Sequence, residues 1–421
     1  MFRQRMTRCA RSLLIVLFSV PAAQAEDWPR WRGPRNDGTW RGPALPDKWP
    51  AGGLRRVWRK EIGGGYAGVS VAAGRVYLFD RQKVPREVER LLCLSAENGD
   101  VIWSRDYPVA YGDLGYGNGP RAAPTVEGKH VYTLGAVGDL RCFETDGGRP
   151  VWSASFQKDF HGRLPTWGYS ASPFLYKDML IVLPGGPNEQ SVVALDPKTG
   201  RKNWGSLSDE AAYAPPLVVE HQGKPQLVCW TPSHIRAIDP ADGKPCWSVP
   251  YSVDYGVSIA SPIYQEGLVF VSAYWAGSRA IRPVAAGKPA DLAYEENRHL
   301  RGLMSQPLYR DGHAYLLDKQ YGLTCFEFKT GKKLWDDDNK MTPRGRNPQA
   351  TLVWLGDGDR AIILNSEGEL ILARLSPQGY REASRTKIIG ETWAHPAYVG
   401  NHIFARSDNE LVCYELPTAG P

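Results

Sequence analysis

The chain has 421 residues, 11% of them aromatic, and a formal net charge of +6. Arg3, Arg5, Arg8 and Arg11 stand ahead of a short apolar run, Leu13 to Val20, and a small-residue site at Ala23-Gln24-Ala25. Residues 1–25 therefore read as a cleaved secretory signal peptide. Their loss leaves a near-neutral protein with no electrostatic case for nucleic-acid binding and no apolar stretch of membrane-spanning length.

Residues 26–53 are rich in Trp, Pro and Gly and open on Trp28-Pro29-Arg30-Trp31-Arg32-Gly33-Pro34. So much Pro and Gly predicts an extended segment, and its tryptophans are expected to dock on the body of the fold. Leu54 to Glu61 then reads as a lone strand with no partners before it in the sequence. From Gly63 onward one phrase recurs: a short run of β-formers, a turn closed by Gly, and a second run ending on Trp. It occurs as Leu91 to Trp103, Leu140 to Trp152, Val192 to Trp204, Ile235 to Trp247 and Leu323 to Trp335. A Gly closing a type I turn supplies the positive φ that such a hairpin needs. Weaker copies surround Gly287 and Gly379, with Asp291 and Ala383 where the Trp is expected. The seven turn glycines are 49, 52, 43, 44, 44 and 48 residues apart. A period in the forties with several strands per period is the signature of a β-propeller.

Between the turns lie strands apolar on both faces, such as Leu180 to Leu183 and Ala361 to Leu364. These must be covered on both sides, as they are in a blade between two other blades. The eighth unit, Trp393 to Leu416, stops after three strands. Leu54 to Glu61 is available as its fourth, and that pairing would remove both exposed sheet edges. The expected fold is all-β: an eight-bladed β-propeller of four-stranded antiparallel blades over residues 54–416, closed by the N-terminal strand and followed by a tail, 417–421. Six residues before each turn Gly stand Cys93, Cys142, Ala194, Ala237, Ile281, Cys325 and Ala373, a small apolar core position; Cys413 fits the same strand position. Cysteines in equivalent places of different blades are too far apart to bond, which leaves Cys229 with Cys246 as the one open pairing.

The phrase Leu195-Asp196-Pro197-Lys198-Thr199-Gly200-Arg201-Lys202-Asn203-Trp204 resembles the repeat of pyrroloquinoline-quinone (PQQ)-type propellers, and the opening Trp28 to Pro34 is similar to that of secreted bacterial PQQ-like repeat proteins. The resemblance covers the whole chain after the signal peptide and implies that each outer-strand Trp docks between adjacent blades. It points to two kinds of relative: quinoprotein alcohol or sugar dehydrogenases, and non-catalytic members such as the propeller lipoprotein of the outer-membrane β-barrel assembly machinery. The dehydrogenases characteristically carry adjacent cysteines in a disulfide, a Ca²⁺-binding carboxylate and amide set, an Asp base and capping loops. This sequence has no adjacent cysteines and no room for a cap, although Asp254 and Glu391 are placed near the mouth. PQQ with Ca²⁺ is thus the alternative cofactor reading, and no cofactor or catalytic residue is the first.

Other motifs fail their context. Asp336-Asp337-Asp338-Asn339 lacks the Gly and bidentate Glu of a Ca²⁺ loop. Gly115-Tyr116-Gly117-Asn118-Gly119 leads into Pro120 rather than a helix, which argues against a phosphate cradle. No histidine stands at zinc spacing. The blade-to-blade links, however, all fall at one end of the ring, opposite the turn glycines. They carry Arg121, Trp167, Tyr169, Tyr255, Arg301, Arg344, Arg346, Asn347, Trp393 and His395, with Tyr116 and Tyr213. These read either as inter-blade packing with snorkelling arginines or as a mouth for an anionic ligand or a partner's peptide. On the second reading Arg121, Arg301, Arg344 and Arg346 converge on one face with Trp167 and Trp393. The expectation is a secreted, monomeric binding or assembly module of the periplasm or cell envelope, its partner an envelope protein or an anionic small molecule.

Overall fold

The computed structural model describes residues 26–419; the signal-peptide expectation, residues 1–25, lies outside them. Eight four-stranded antiparallel sheets follow one another around a ring. Blade 1 comprises Ser70–Ala72, Arg75–Gln82, Val88–Ser95 and Val101–Pro108, and the later blades repeat this meander from the inner to the outer strand. The inner strands of blades 2 to 8 begin at Thr125, Phe174, Leu217, Ile263, Leu308, Ala350 and Ala397. Helix among the described residues is confined to one turn at Phe156–Asp159 and a 3₁₀ turn at Asp254–Gly256. Among the described residues no helix is long and apolar enough to cross a membrane.

Ring closure follows the expectation. Arg55–Glu61 pairs antiparallel with Glu410–Glu415, Trp58 opposite Cys413, as the outer strand of blade 8. The seam between blades 8 and 1 is also tied by Arg406. This fully buried side chain donates to the carbonyl oxygens of Phe79 (3.0 Å), Gly63 (2.8 Å) and Ser407 (3.1 Å).

The hairpin phrase explains how blades stack. Gly287 and Gly379 meet no ring, but the other five turn glycines, all at positive φ, sit beneath the outer-strand aromatic of the preceding blade, as Gly99 does under Trp58, Gly148 under Trp103 and Gly200 under Trp152. A Cβ there would lie within 2.8 Å of the indole, so Gly serves both the turn and the contact. The indole N–H donates to a carbonyl of the neighbouring turn, Trp103 to Thr145 (3.0 Å) and Trp335 to Ser376 (2.9 Å). Two blades differ from the sequence reading. In blade 5 the docking position is held by Tyr294, not Asp291, because the hairpin is longer; Tyr294 pairs with Ala280 and covers Gly331. The small core position is accordingly Ala280 and not Ile281. In blade 7 a bulge passes over Ala383, and Ser384 pairs with Leu372 at the docking register. There Trp49 of the N-terminal segment supplies the indole, its backbone N–H on Ser384 Oγ (3.0 Å) and its Nε1 on the Leu370 carbonyl (3.0 Å). Cys229 and Cys246 are both free thiols, as are Cys93, Cys142, Cys325 and Cys413.

Residues 26–53 do more than lie on the body. Asp27 accepts from the Ala73 N–H at the first turn of blade 1, and Trp28 bridges Val71. The chain then crosses the channel at the turn-glycine end. It then turns back, and Thr39–Trp40 pairs parallel with Trp354–Leu355, giving blade 7 a fifth strand, with Trp40 and Trp28 both against Tyr398 of blade 8.

Candidate functional site

Because each blade is a meander, the links between blades and the loops between second and third strands share one end, here the link end. All eight links contribute to a cavity of about 180 Å³ at the channel mouth. Its walls are Tyr66, Tyr116, Trp167, Tyr213, Trp275 and Trp393. Trp31, carried across the channel from the opposite end, forms its floor. The Trp31 indole lies 4.0 Å, centroid to centroid, from the His395 ring and donates to Ser261 Oγ at 3.3 Å. The rings are held by one another: Trp393 contacts Tyr66 (5.8 Å) and Tyr116 (5.6 Å), and Trp167 contacts Tyr213 (6.0 Å).

Polar groups in the lining are few and mostly neutral. Gln306 Oε1 accepts from the Ser261 N–H (2.6 Å) and Gln349 Oε1 from Ser305 Oγ (3.0 Å), so both amides are fixed from the adjoining link. Asn347 Nδ2 donates to the Tyr116 hydroxyl at 2.8 Å, and the Tyr66 hydroxyl donates to the Tyr116 carbonyl. Tyr116 is thereby drawn over the rim at φ 64° while remaining 48% exposed. Enclosure, followed by the nearby Arg32 guanidinium, pushes the His395 imidazole down to about 3, so it is neutral at physiological pH. Burial likewise raises the Tyr213 phenol to about 12.

The four arginines do not converge. Arg121 alone lines the cavity, and it donates to the carbonyls of Gly119, Gly115 (3.2 Å) and Gly117 (2.6 Å). The glycine-rich loop thus turns its oxygens inward on its own cation, the opposite polarity to a phosphate cradle. Arg301 is neutralised by the buried Asp318 carboxylate at 3.2 Å. Arg344 and Arg346 are exposed outside the cavity. Tyr255 stands on the rim, 73% exposed and 5.2 Å from Trp275. Tyr169 points the other way: it is buried edge-on against Phe156 at 5.0 Å, and its hydroxyl donates to the Arg163 carbonyl. Its neighbour Ser170 faces the cavity instead, as alternation along an extended chain requires.

Sequence reasoning missed Trp31, Tyr66, Trp275, Gln306 and Gln349. Trp275 lies in a loop between second and third strands, which shares the link end with the links. Gln306-Pro307 stands where His395-Pro396 stands in its own blade, a repeat position that would have flagged it. Asp337, in the rejected Ca²⁺-loop motif, accepts from the N–H groups of Leu323 (2.7 Å), Asn339 (3.1 Å) and Met341 (2.7 Å) and is a turn anchor. Among the described residues no group of three or more His, Cys, Asp or Glu is placed to hold a metal. The cavity lining contains no carboxylate and no cysteine. It therefore does not fit a Ca²⁺-held quinone.

Among solved structures, BamB from Moraxella catarrhalis superposes with a TM-score of 0.58 at 14% identity, covering 86% of this chain and 99% of that one. The computationally designed Ika8 protein gives 0.56 at 9% identity, over 86% and 99%. Quinohemoprotein alcohol dehydrogenase from Comamonas testosteroni gives 0.50 at 12%, over 96% and 82%. At these identities the likeness is one of fold. No curated protein sequence matches the chain. The family model described as outer membrane protein assembly factor BamB matches residues 93–296 and 233–421, more than half of the chain. With its eight blades, docked outer-strand aromatics and PQQ-like repeat, the chain belongs to that family.

Proposed function

We propose that the protein is a non-catalytic binding module of the cell envelope, exported by its N-terminal signal, whose link-end cavity receives an apolar side chain from a partner protein. The observation that carries this reading is the convergence of aromatic rings from all round the channel on one blind, nearly uncharged cavity. Aromatic anchors in a desolvated pocket, surrounded by a wetter rim, are the usual energetic centre of a protein interface. The rim supplies that surround: Tyr116, Tyr255 and Trp275 are among the few large apolar side chains left exposed, and Arg344 and Arg346 stand beside them in solvent. Enzymatic chemistry has less support, because the cavity offers no acid or base apart from a His395 held neutral.

The test compares partners captured from envelope extract by the wild-type protein and by a Tyr255→Ala/Trp275→Ala variant. Both residues are exposed, so melting should be unchanged while the specific partner is lost. Retention of the same partner at the same yield would overturn the reading. PQQ and Ca²⁺ added to the purified protein should yield no alcohol- or sugar-dependent dye reduction. Such activity would establish the quinoprotein alternative.

A further inference from the structure

The Trp28-Pro29-Arg30-Trp31-Arg32 motif is not used up by the link-end cavity. As the N-terminal segment crosses the channel it closes a second, larger cavity on the turn-glycine side, about 380 Å³, against the inner strands of blades 2 to 7. Trp31 separates the two cavities and lines both. Four guanidinium groups line the lower one, those of Arg30, Arg32, Arg35 and Arg310, against a single carboxylate, Asp37.

Two of these four cations, Arg32 and Arg310, form no salt bridge with a carboxylate. Arg32 is 8% exposed, and both its hydrogen bonds run from Nη2 to backbone oxygens, those of Asp37 (3.2 Å) and Pro307 (3.3 Å). Arg310 donates from Nη2 to the Gly356 carbonyl at 2.9 Å and lies 4.6 Å over the Trp354 ring. Arg30 reaches an outlying carboxylate, Glu127, which is 59% exposed, while its Nε is buried without a partner. Only Arg35 is well compensated, by Asp37 (3.3 Å) and Glu26. Asp37 is further occupied by the Thr39 N–H at 2.8 Å.

Burying a guanidinium without a counter-charge is costly, so such groups are ordinarily paired. One structural alternative is that Arg32 acts as a strut pinning the segment to carbonyls, as Arg406 does at the blade 8–1 seam. Arg406 spends Nε, Nη1 and Nη2 on three carbonyls. Arg32 spends only Nη2 and leaves Nε and Nη1 without a protein partner on the edge of open space. The strut reading also leaves the bare Arg30 Nε and the unpaired Arg310 unexplained. The planar fork of Arg matches the oxygens of a carboxylate or phosphate, and such charge-assisted bonds are strong where water is scarce.

We propose that the turn-end cavity is an oxyanion site, in which Arg32 and Arg310, with Arg30 at the edge, bind a phosphate or carboxylate group beneath the Trp31 floor. The depressed basicity of Arg32, brought down to about 10 by burial, agrees with a cation short of counter-charge, and it remains protonated at neutral pH.

Isothermal titration of the full exported chain in chloride buffer, with inorganic phosphate in one arm and citrate in the other, tests this. Saturable binding is expected in at least one arm. Phosphate alone would identify a phosphoryl group as the ligand, and citrate alone a carboxylate. Arg32→Gln and Arg310→Gln should each weaken binding by roughly tenfold or more, the loss expected for a charge-assisted hydrogen bond. Asp37→Asn should tighten it by removing the one competing carboxylate. If Arg32→Gln also lowers the melting temperature by undocking the segment, Arg310→Gln decides, because Arg310 lies on the inner strand of blade 6 and not on the segment. The proposal is overturned if neither anion binds saturably at about 10 mM, or if Arg310→Gln and Arg32→Gln leave the affinity unchanged.

Discussion

His395 and Trp31 meet on the propeller axis, one from a link and one from the crossing segment, and their contact has a consequence for acid stability. The folded protein holds His395 at about 3, whereas an unfolded chain protonates histidine near its ordinary value of 6.5. Between these limits the unfolded state binds the extra proton, so folding stability falls as pH drops through that window and is unaffected above it. In urea titrations across the window, wild type should lose stability relative to His395→Gln as the pH falls. Parallel pH profiles for the two proteins would show that His395 is not enclosed as described. Arg406 offers a second single-residue test. Arg406→Ala removes the donor shared by three carbonyls at the seam and should cost at least about 2 kcal/mol; a loss within about 0.5 kcal/mol would class it with ordinary surface positions. The role of Arg406 was not legible in the sequence, where it is one arginine among many, and His395 could be assigned to the link end but not to its contact with Trp31.

The hairpin with its turn Gly is the element that the sequence displayed best, because two demands fall on the same short phrase. The turn needs positive φ, and the docking ring needs a neighbour without a Cβ. Where the hairpin changes length, as before Tyr294, counting from the Gly lands on the wrong residue. Where the docking ring comes from another part of the chain, as Trp49 does for blade 7, local sequence carries no mark of it. Trp103→Ala, at a site 6% exposed, should destabilise by about 3–5 kcal/mol in denaturant titration. Trp335→Ala, at a half-buried site, should cost about half as much. Equal and negligible losses at both would contradict inter-blade docking.

At the scale of the whole molecule, blade number and ring closure followed from the period and from an unpaired strand at one end matching a missing strand at the other, whereas the fifth strand of blade 7 did not. A protein lacking residues 1–61 should lose its single cooperative unfolding transition or associate through the bared edge of Glu410–Glu415. The site was only half legible. Ring parity correctly assigns the links to one end, but it carries no information on which way a side chain points: Tyr169 turns into the core, Arg301 is captured by Asp318, and Trp31 arrives from the opposite end. Of the basic and aromatic ring expected at the mouth, Trp167, Trp393 and His395 line the cavity, but of the four arginines only Arg121 does. Oxidative footprinting of tryptophan and tyrosine, read by mass spectrometry with and without the captured envelope partner, tests the central claim most directly. The account requires protection of Trp275, Tyr255 and Tyr116 in the complex, with the half-buried Trp152 and Trp335 of the outer wall unchanged. Protection confined to the outer wall or the turn-glycine end, with the link-end rim labelled as in the free protein, would contradict it.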